Sequence, residues 1–262
     1  MDIYQVDAFT ETLFKGNPAA IIPLKKWMNS EDMQHIAAEN NLSETAFLVK
    51  KSEDRYGIRW FTPETEVDLC GHATLASAHV LFEHLGFSGE KIRFDSHSGE
   101  LNVQKKDNLY WLDFPSQPPS PVSVPKLLPE AIGCIPIYTG TNVDLLILVD
   151  SEKTVQKMKP DLEILKRMDV RGVIVTAEAE ESGIDFVSRF FAPAVGVPED
   201  PVTGSAHTVL TPFWSKKLGK TEFKAKQLSK RGGTLDTILK DDRVWIGGPA
   251  VTYMTGKIEI SE

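Results

Sequence analysis

Three segments of this sequence gather side chains able to move protons or hold anions. Leu42-Ser43-Glu44-Thr45-Ala46-Phe47 places one carboxylate at the mouth of an apolar strand, where partial desolvation suits it to taking and returning a proton. Cys70-Gly71-His72-Ala73 brings a thiol and an imidazole to a glycine that opens a helix, and Glu199-Asp200-Pro201-Val202-Thr203-Gly204-Ser205-Ala206 brings acids and a serine to another. A helix start offers N–H groups without helical partners and the positive end of the macrodipole. The amides of His72, Ala73, Ser205 and Ala206 are therefore expected to hold a carboxylate or an enolate-like oxygen. Asp200 is the candidate acid of the second half.

Blander readings stand beside each of these. Gly71 and Gly204 also fit residues that only permit tight turns. Glu44 fits a solvated loop carboxylate, His72 a first-turn residue bonded to water, Ser205 an N-cap, and His207 a surface residue of its helix. Cys70 is a chemical rival to Glu44, because a thiol beside a helix N-terminus is expected to have a lowered pKa and to act as nucleophile or base. Cys134 stands far from Gly204, so a mechanism with two paired thiols lacks its second sulfur.

The elements that position these residues occur twice. Arg59-Trp60-Phe61-Thr62-Pro63 precedes Gly71 and a helical run closing at Leu85-Gly86; Arg189-Phe190-Phe191-Ala192-Pro193 precedes Gly204 and a run closing at Leu218-Gly219. The interval from Gly71 to Gly86 equals that from Gly204 to Gly219. Further on, Ser98-Gly99-Glu100-Leu101 matches Gly232-Gly233-Thr234-Leu235, and Asp107 to Leu112 with Pro115 matches Asp241 to Ile246 with Pro249. Such repetition predicts two lobes related by an approximate two-fold axis, with a small ligand in the cleft between them. The halves differ where chemistry would be specialised. Glu44 has no counterpart in Val170-Arg171-Gly172, and Val197 to Val202 lengthens the second approach to the helix.

Within the first half, Ile3 to Phe9 reads as a strand, Gly16-Asn17-Pro18 as a turn and Ala19 to Pro23 as a second strand. Ser30 is expected to cap a helix through Glu39 that Asn40-Asn41 ends, before the strand Ala46 to Val49. The second half shows a helix Asp161 to Met168 and the strand Val173 to Val175. Phe114 to Pro129 is too rich in proline for a central helix or strand and is read as the linker. Val251 to Ile260 alternates and is expected to cross back. This gives domains of residues 1–116, completed by a strand in 251–262, and 117–250. The alanine-rich helix Ala73 to Leu85 suits the centre of a curled sheet.

Composition narrows the function classes. The 262 residues are 41% hydrophobic and 25% charged, ordinary for a soluble protein with two cores. A net charge of −8 excludes a phosphate-backbone binder. No stretch is long and apolar enough to span a bilayer and no leader pattern opens the chain, so neither nucleic acid nor membrane is an expected partner and a cytoplasmic location is. Two cysteines are too few for a disulfide scaffold and lack metal-site spacing.

The set Val6-Asp7-Ala8-Phe9, Phe14-Lys15-Gly16-Asn17-Pro18-Ala19-Ala20, Asn41-Leu42-Ser43-Glu44-Thr45-Ala46-Phe47, Asp68-Leu69-Cys70-Gly71-His72-Ala73-Thr74 and Glu199 to Ala206 closely resembles the PhzF-like phenazine-biosynthesis isomerase family, over nearly the whole chain. The resemblance implies an α+β fold like that of diaminopimelate epimerase: two pseudo-two-fold-related domains, each a mixed β-sheet curled around a central helix. It implies Glu44 as the catalytic acid/base, with His72, Asp200 and Ser205 lining the pocket and Asn17, Gly71, Ala73, Gly204 and Ala206 binding substrate. It further implies proton transfer between carbons of a small, carboxylated metabolite, with neither metal nor organic cofactor, in a homodimer. A Cys70-dependent racemase or epimerase, and a non-catalytic metabolite-binding protein on the same scaffold, are the alternative readings.

Overall fold

Alternating apolar residues build the first unit, which the computed structural model, describing residues 1–260, draws from Met1–Asp113 and the chain from Gly247 onward. Its strands are β1 (Asp2–Ala8), β2 (Asn17–Leu24), β3 (Glu44–Lys50), β4 (Arg55–Phe61), β5 (Glu66–Val67), β6 (Lys91–Ser96), β7 (Gly99–Lys106) and β8 (Leu109–Pro115). They form one mixed sheet. β1 runs antiparallel to β2, β2 parallel to β3, β3 antiparallel to β4, and β4 parallel to β6, followed by the antiparallel meander β6, β7, β8.

Helix α1 (Ser30–Asn40) is capped by Asn29, whose Oδ1 accepts from the Asp32 amide at 2.7 Å, so the cap lies one residue before Ser30. Asn41 at φ 48° closes it, a left-handed stop that asparagine tolerates. Helix α2 (Gly71–Glu83) is buried along nearly its whole length and touches β1, β2, β3 and β7, strands well separated across the sheet. A sheet can close on a helix this way because Ala73, Ala76 and Ala78 keep it narrow. The helix stops at Glu83, earlier than Leu85, and a closing turn follows in which Phe87 N–H donates to Leu81 O at 3.0 Å and Gly86 adopts φ 68°.

The second unit, Phe114–Ile246, has β9 (Ser120–Pro121), β10 (Tyr138–Thr141), β11 (Leu145–Leu148), β12 (Val173–Glu178), β13 (Phe186–Ala192), β14 (Val197–Asp200), β15 (Glu222–Gln227), β16 (Gly233–Lys240) and most of β17 (Arg243–Gly248). Its pairing repeats that of the first: β10 antiparallel to β11, β11 parallel to β12, β12 antiparallel to β13, β13 parallel to β15, β15 antiparallel to β16. On β11, Leu146 and Leu148 face the core of helix α6 (Gly204–Leu218), while Leu145 and Ile147 face the core of α3 (Leu128–Ile132), α4 (Glu152–Lys157) and α5 (Leu162–Lys166). Both faces are covered, which is why β11 reads as an unbroken apolar run.

Helix α3 lies partly within the proline-rich segment, with Pro129 in its first turn, where the missing N–H costs nothing. That segment also docks on α6. Pro212 deprives the Thr208 carbonyl of its helical donor, and the Gln117 backbone N–H fills the vacancy at 3.0 Å while Thr208 Oγ1 donates to Gln117 Oε1 at 2.8 Å. The last strand, β18 (Ala250–Lys257), runs antiparallel along β1, from Ala8↔Ala250 to Asp2↔Lys257. Residues 261 and 262, assigned to this strand by the sequence, lie outside the described residues. Each unit is a mixed sheet around one buried helix, an α+β architecture, and no helix among the described residues is long and apolar enough to cross a membrane.

Candidate active site

Three chain segments start side by side in the first unit. β2 and β3 are parallel, with Ala19 opposite Glu44, so Asn17 at the head of β2 and Glu44 at the head of β3 are neighbours. Asn17 is delivered by a turn that only glycine can make. Gly16 sits at φ +64°, and a Cβ there would lie 2.1 Å from the Ala8 carbonyl oxygen. Helix α2 adds the third start, with Cys70 at its N-cap and Gly71, His72 and Ala73 in its first turn. Cys70 provides no side-chain capping bond, and neither does Thr203 at the start of α6.

Asn17, Cys70 and His72 are buried and Glu44 is part-buried, and together they form one cluster. Glu44 Oε2 lies 3.0 Å from His72 Nε2; on the other side of the ring, Nδ1 is 3.2 Å from Asn17 Nδ2 and 3.5 Å from Cys70 Sγ. The Glu44–His72 contact has the distance of a salt bridge but not the alignment of a hydrogen bond, and both atoms are buried without another hydrogen-bond partner. Such atoms are costly to bury unless something else engages them.

Charge follows from the surroundings. Burial alone would push His72 down, but its anionic partners outweigh burial and hold it well above the usual histidine range. The larger of these raising influences is Cys70 and the next is Glu44, while burial and the Glu44 carboxylate together push the Cys70 thiol up to about 11. The raised His72 pKa favours the imidazolium opposite Glu44. The expected lowering of the Cys70 pKa is reversed: desolvation and a neighbouring carboxylate defeat the helix N-terminus.

In the second unit, Asp200, Gly204, Ser205 and Ala206 gather at the start of α6. The two acids of the preceding segment separate in role. Glu199 receives a two-pronged grip from Arg189, Nε at 2.7 Å and Nη2 at 3.0 Å. Arg59 grips Glu66 in the same way, at 2.7 and 2.6 Å, so the duplicated arginine braces the short strand that leads into each helix. Asp200 instead accepts from the Thr203 hydroxyl. Gln227, fully buried, ties this corner together: its Oε1 accepts from the Thr203 amide at 2.9 Å, and its Nε2 donates to Asp200 O at 2.8 Å and Thr203 Oγ1 at 3.1 Å. Sequence reasoning missed Gln227, although strand alternation points it inward after Phe223 and Ala225. His207 is no surface residue. It is fully buried, donates Nδ1–H to Thr203 O at 2.8 Å, and burial pushes it down to about 4, so it is neutral.

Only the first unit has an acid at the head of its central parallel strand. At the matching turn of the second, a Cβ on Gly172 would meet the Phe190 ring at 2.4 Å, so a side chain there would have to displace that ring, and Arg171 is committed to the buried Asp144 at 2.9 and 2.6 Å.

The profile of the family described as phenazine biosynthesis-like protein, PhzC-PhzF, matches residues 6–256. The chain belongs to this family. A protein of Halalkalibacterium halodurans named as an uncharacterized isomerase is 51% identical over 259 residues, 98% of this chain and 97% of its own length. A phenazine biosynthesis protein of the PhzF family from Enterococcus faecalis has a crystal structure that matches with a TM-score of 0.96 at 47% identity, covering 99% of each chain. At 10% identity, a probable proline racemase from Agrobacterium radiobacter, solved with bound carbonate, matches with a TM-score of 0.65 over 99% of this chain and 93% of its own, which shows the epimerase-like fold alone. As a member of the phenazine biosynthesis-like family, the chain is an enzyme of isomerase type.

Proposed function

We propose that this protein moves a proton between two carbons of a small, carboxylated metabolite by cofactor-independent general acid/base catalysis. The observation that carries the reading is the buried, unaligned contact of Glu44 Oε2 and His72 Nε2 at 3.0 Å. Glu44, ionised, takes the acidic C–H proton of the substrate; its carboxyl group then returns the proton to a second carbon. Between these steps the substrate carries an enolate-like charge, and the His72 imidazolium with the first-turn amides of α2 supplies positive potential for it. Asp200 and Ser205 serve as further pocket residues, with Asn17, Gly71, Ala73, Gly204 and Ala206 binding substrate. Cys70, held as a neutral thiol up to about 11, is poorly suited to be a nucleophile or base near pH 7. The reading extends to a cytoplasmic homodimer, which light scattering of the purified protein would test.

The test is incubation of the protein in D2O with a cytosolic metabolite extract, followed by mass spectrometry. A metabolite that changes retention time and gains deuterium supports isomerisation. A metabolite that co-purifies with the protein but is returned unchanged and unlabelled would point instead to a binding protein.

A further inference from the structure

Glu44, Cys70 and His72 offer one carboxylate oxygen, one sulfur and one ring nitrogen that all lie within 4.8 Å of one another. We propose that these three side chains bind a thiophilic divalent cation of the Zn2+ class, and that its binding shuts off proton transfer at this site. The inhibitory half rests on the function proposed above; the binding half does not.

Donor chemistry selects the cation. Oxygen, nitrogen and sulfur together suit Zn2+ or Co2+, whereas Mg2+ and Ca2+ favour all-oxygen sets. Bonds of about 2.0 to 2.3 Å in a tetrahedral site place donors roughly 3.3 to 3.7 Å apart. Glu44 Oε2 now lies 3.0 Å from Nε2 and Cys70 Sγ 3.5 Å from Nδ1, so cation binding requires the His72 ring to turn until one nitrogen faces both the oxygen and the sulfur. A second observation points to a ligand here: Glu44 Oε2 and His72 Nε2 are buried, mutually adjacent and without aligned hydrogen bonds, and His72 is 5% and Cys70 6% exposed. Three protein donors leave a fourth position for water or a substrate oxygen. On binding, the Cys70 thiol forms the metal–sulfur bond and loses its proton to solvent, while the Glu44 carboxylate that should receive the substrate's proton is occupied by the cation.

Co2+ titration of the full-length, metal-free protein tests this, because a thiolate bound to Co2+ gives a charge-transfer absorption independent of catalysis. The band is expected in the unmodified protein and in Cys134→Ser, absent in Cys70→Ser, and to require at least about tenfold more Co2+ in Glu44→Gln. If Cys70→Ser fails to fold, the Cys134→Ser and Glu44→Gln titrations still decide. No thiolate band in the unmodified protein, or a band that vanishes with Cys134→Ser, overturns the proposal. Equimolar Zn2+ should also abolish substrate deuteration and a chelator restore it; undiminished deuteration with the cation bound overturns the inhibitory half. A band without any Glu44-dependent deuteration removes the catalytic reading while leaving the site, and the reverse pattern removes the site alone.

Discussion

Glu44 and His72 face one another at 3.0 Å without completing a hydrogen bond. The pair therefore keeps its charges close while leaving the carboxylate oxygen and the ring N–H able to turn toward a substrate. Cys70 and Glu44 together favour a protonated His72, which places a group that stabilises negative charge beside the proposed base.

Cys70 should be chemically quiet. Its thiol is pushed up to about 11 by burial and by Glu44, and it is 6% exposed. At pH 7 an alkylating reagent should label Cys134 well before Cys70 in the folded protein, and both at similar rates in denaturant, as read by peptide mass spectrometry. Preferential labelling of Cys70 in the native state would restore the thiol mechanism.

Gln227 should matter although it lies in a strand away from the sequence motifs. Gln227→Ala removes three hydrogen bonds from the Asp200–Thr203 corner and leaves buried partners unmet, at an expected cost of about 1–3 kcal/mol in denaturant unfolding. Activity should fall further than stability explains, since Asp200 loses its anchored backbone. An unchanged unfolding midpoint would contradict this.

The arginine forks predict a matched pair of variants. Lysine cannot present two parallel N–H donors, so Arg59→Lys and Arg189→Lys should each lose about 1–2 kcal/mol of stability. The Arg189 variant has more to lose, because its Nη1 also donates to Met158 O at 2.6 Å and Val155 O at 3.1 Å. Equal unfolding midpoints for both variants and the unmodified protein would show that the forks are ornamental.

Acid should destabilise the fold before it protonates its carboxylates. Burial pushes His79 and His207 down to about 4, whereas unfolded histidine titrates near 6.5. Between those values the unfolded chain binds protons that the folded one refuses, so stability present above about 6.5 is lost as pH falls toward 4, by up to about 3 kcal/mol for each ring. Substituting His207 with glutamine should flatten the slope of unfolding free energy against pH over this window.

The local elements were legible where side chains act on their own backbone. Strand alternation and the asparagine stop of α1 follow from short-range chemistry, even though the cap of α1 proved to be Asn29. The duplicated motifs also pointed to repeated architecture, and the same order of parallel and antiparallel strands appears in both units. What the sequence hid depends on distant partners. Nothing near Glu199 says that Arg189 claims it and leaves Asp200 to Thr203, and nothing near His207 says that Phe186 and the sheet cover it. The Cys70 thiol was misjudged for the same reason, since its environment is set by a carboxylate from β3 and not by its own helix.

Deuterium uptake by the substrate with Glu44→Gln, against the unmodified protein, tests the central claim most directly. Losing a general acid/base should slow uptake by roughly 10² to 10⁴-fold while circular dichroism and the unfolding midpoint stay nearly the same. Uptake at the unmodified rate in a folded Glu44→Gln protein would contradict the account.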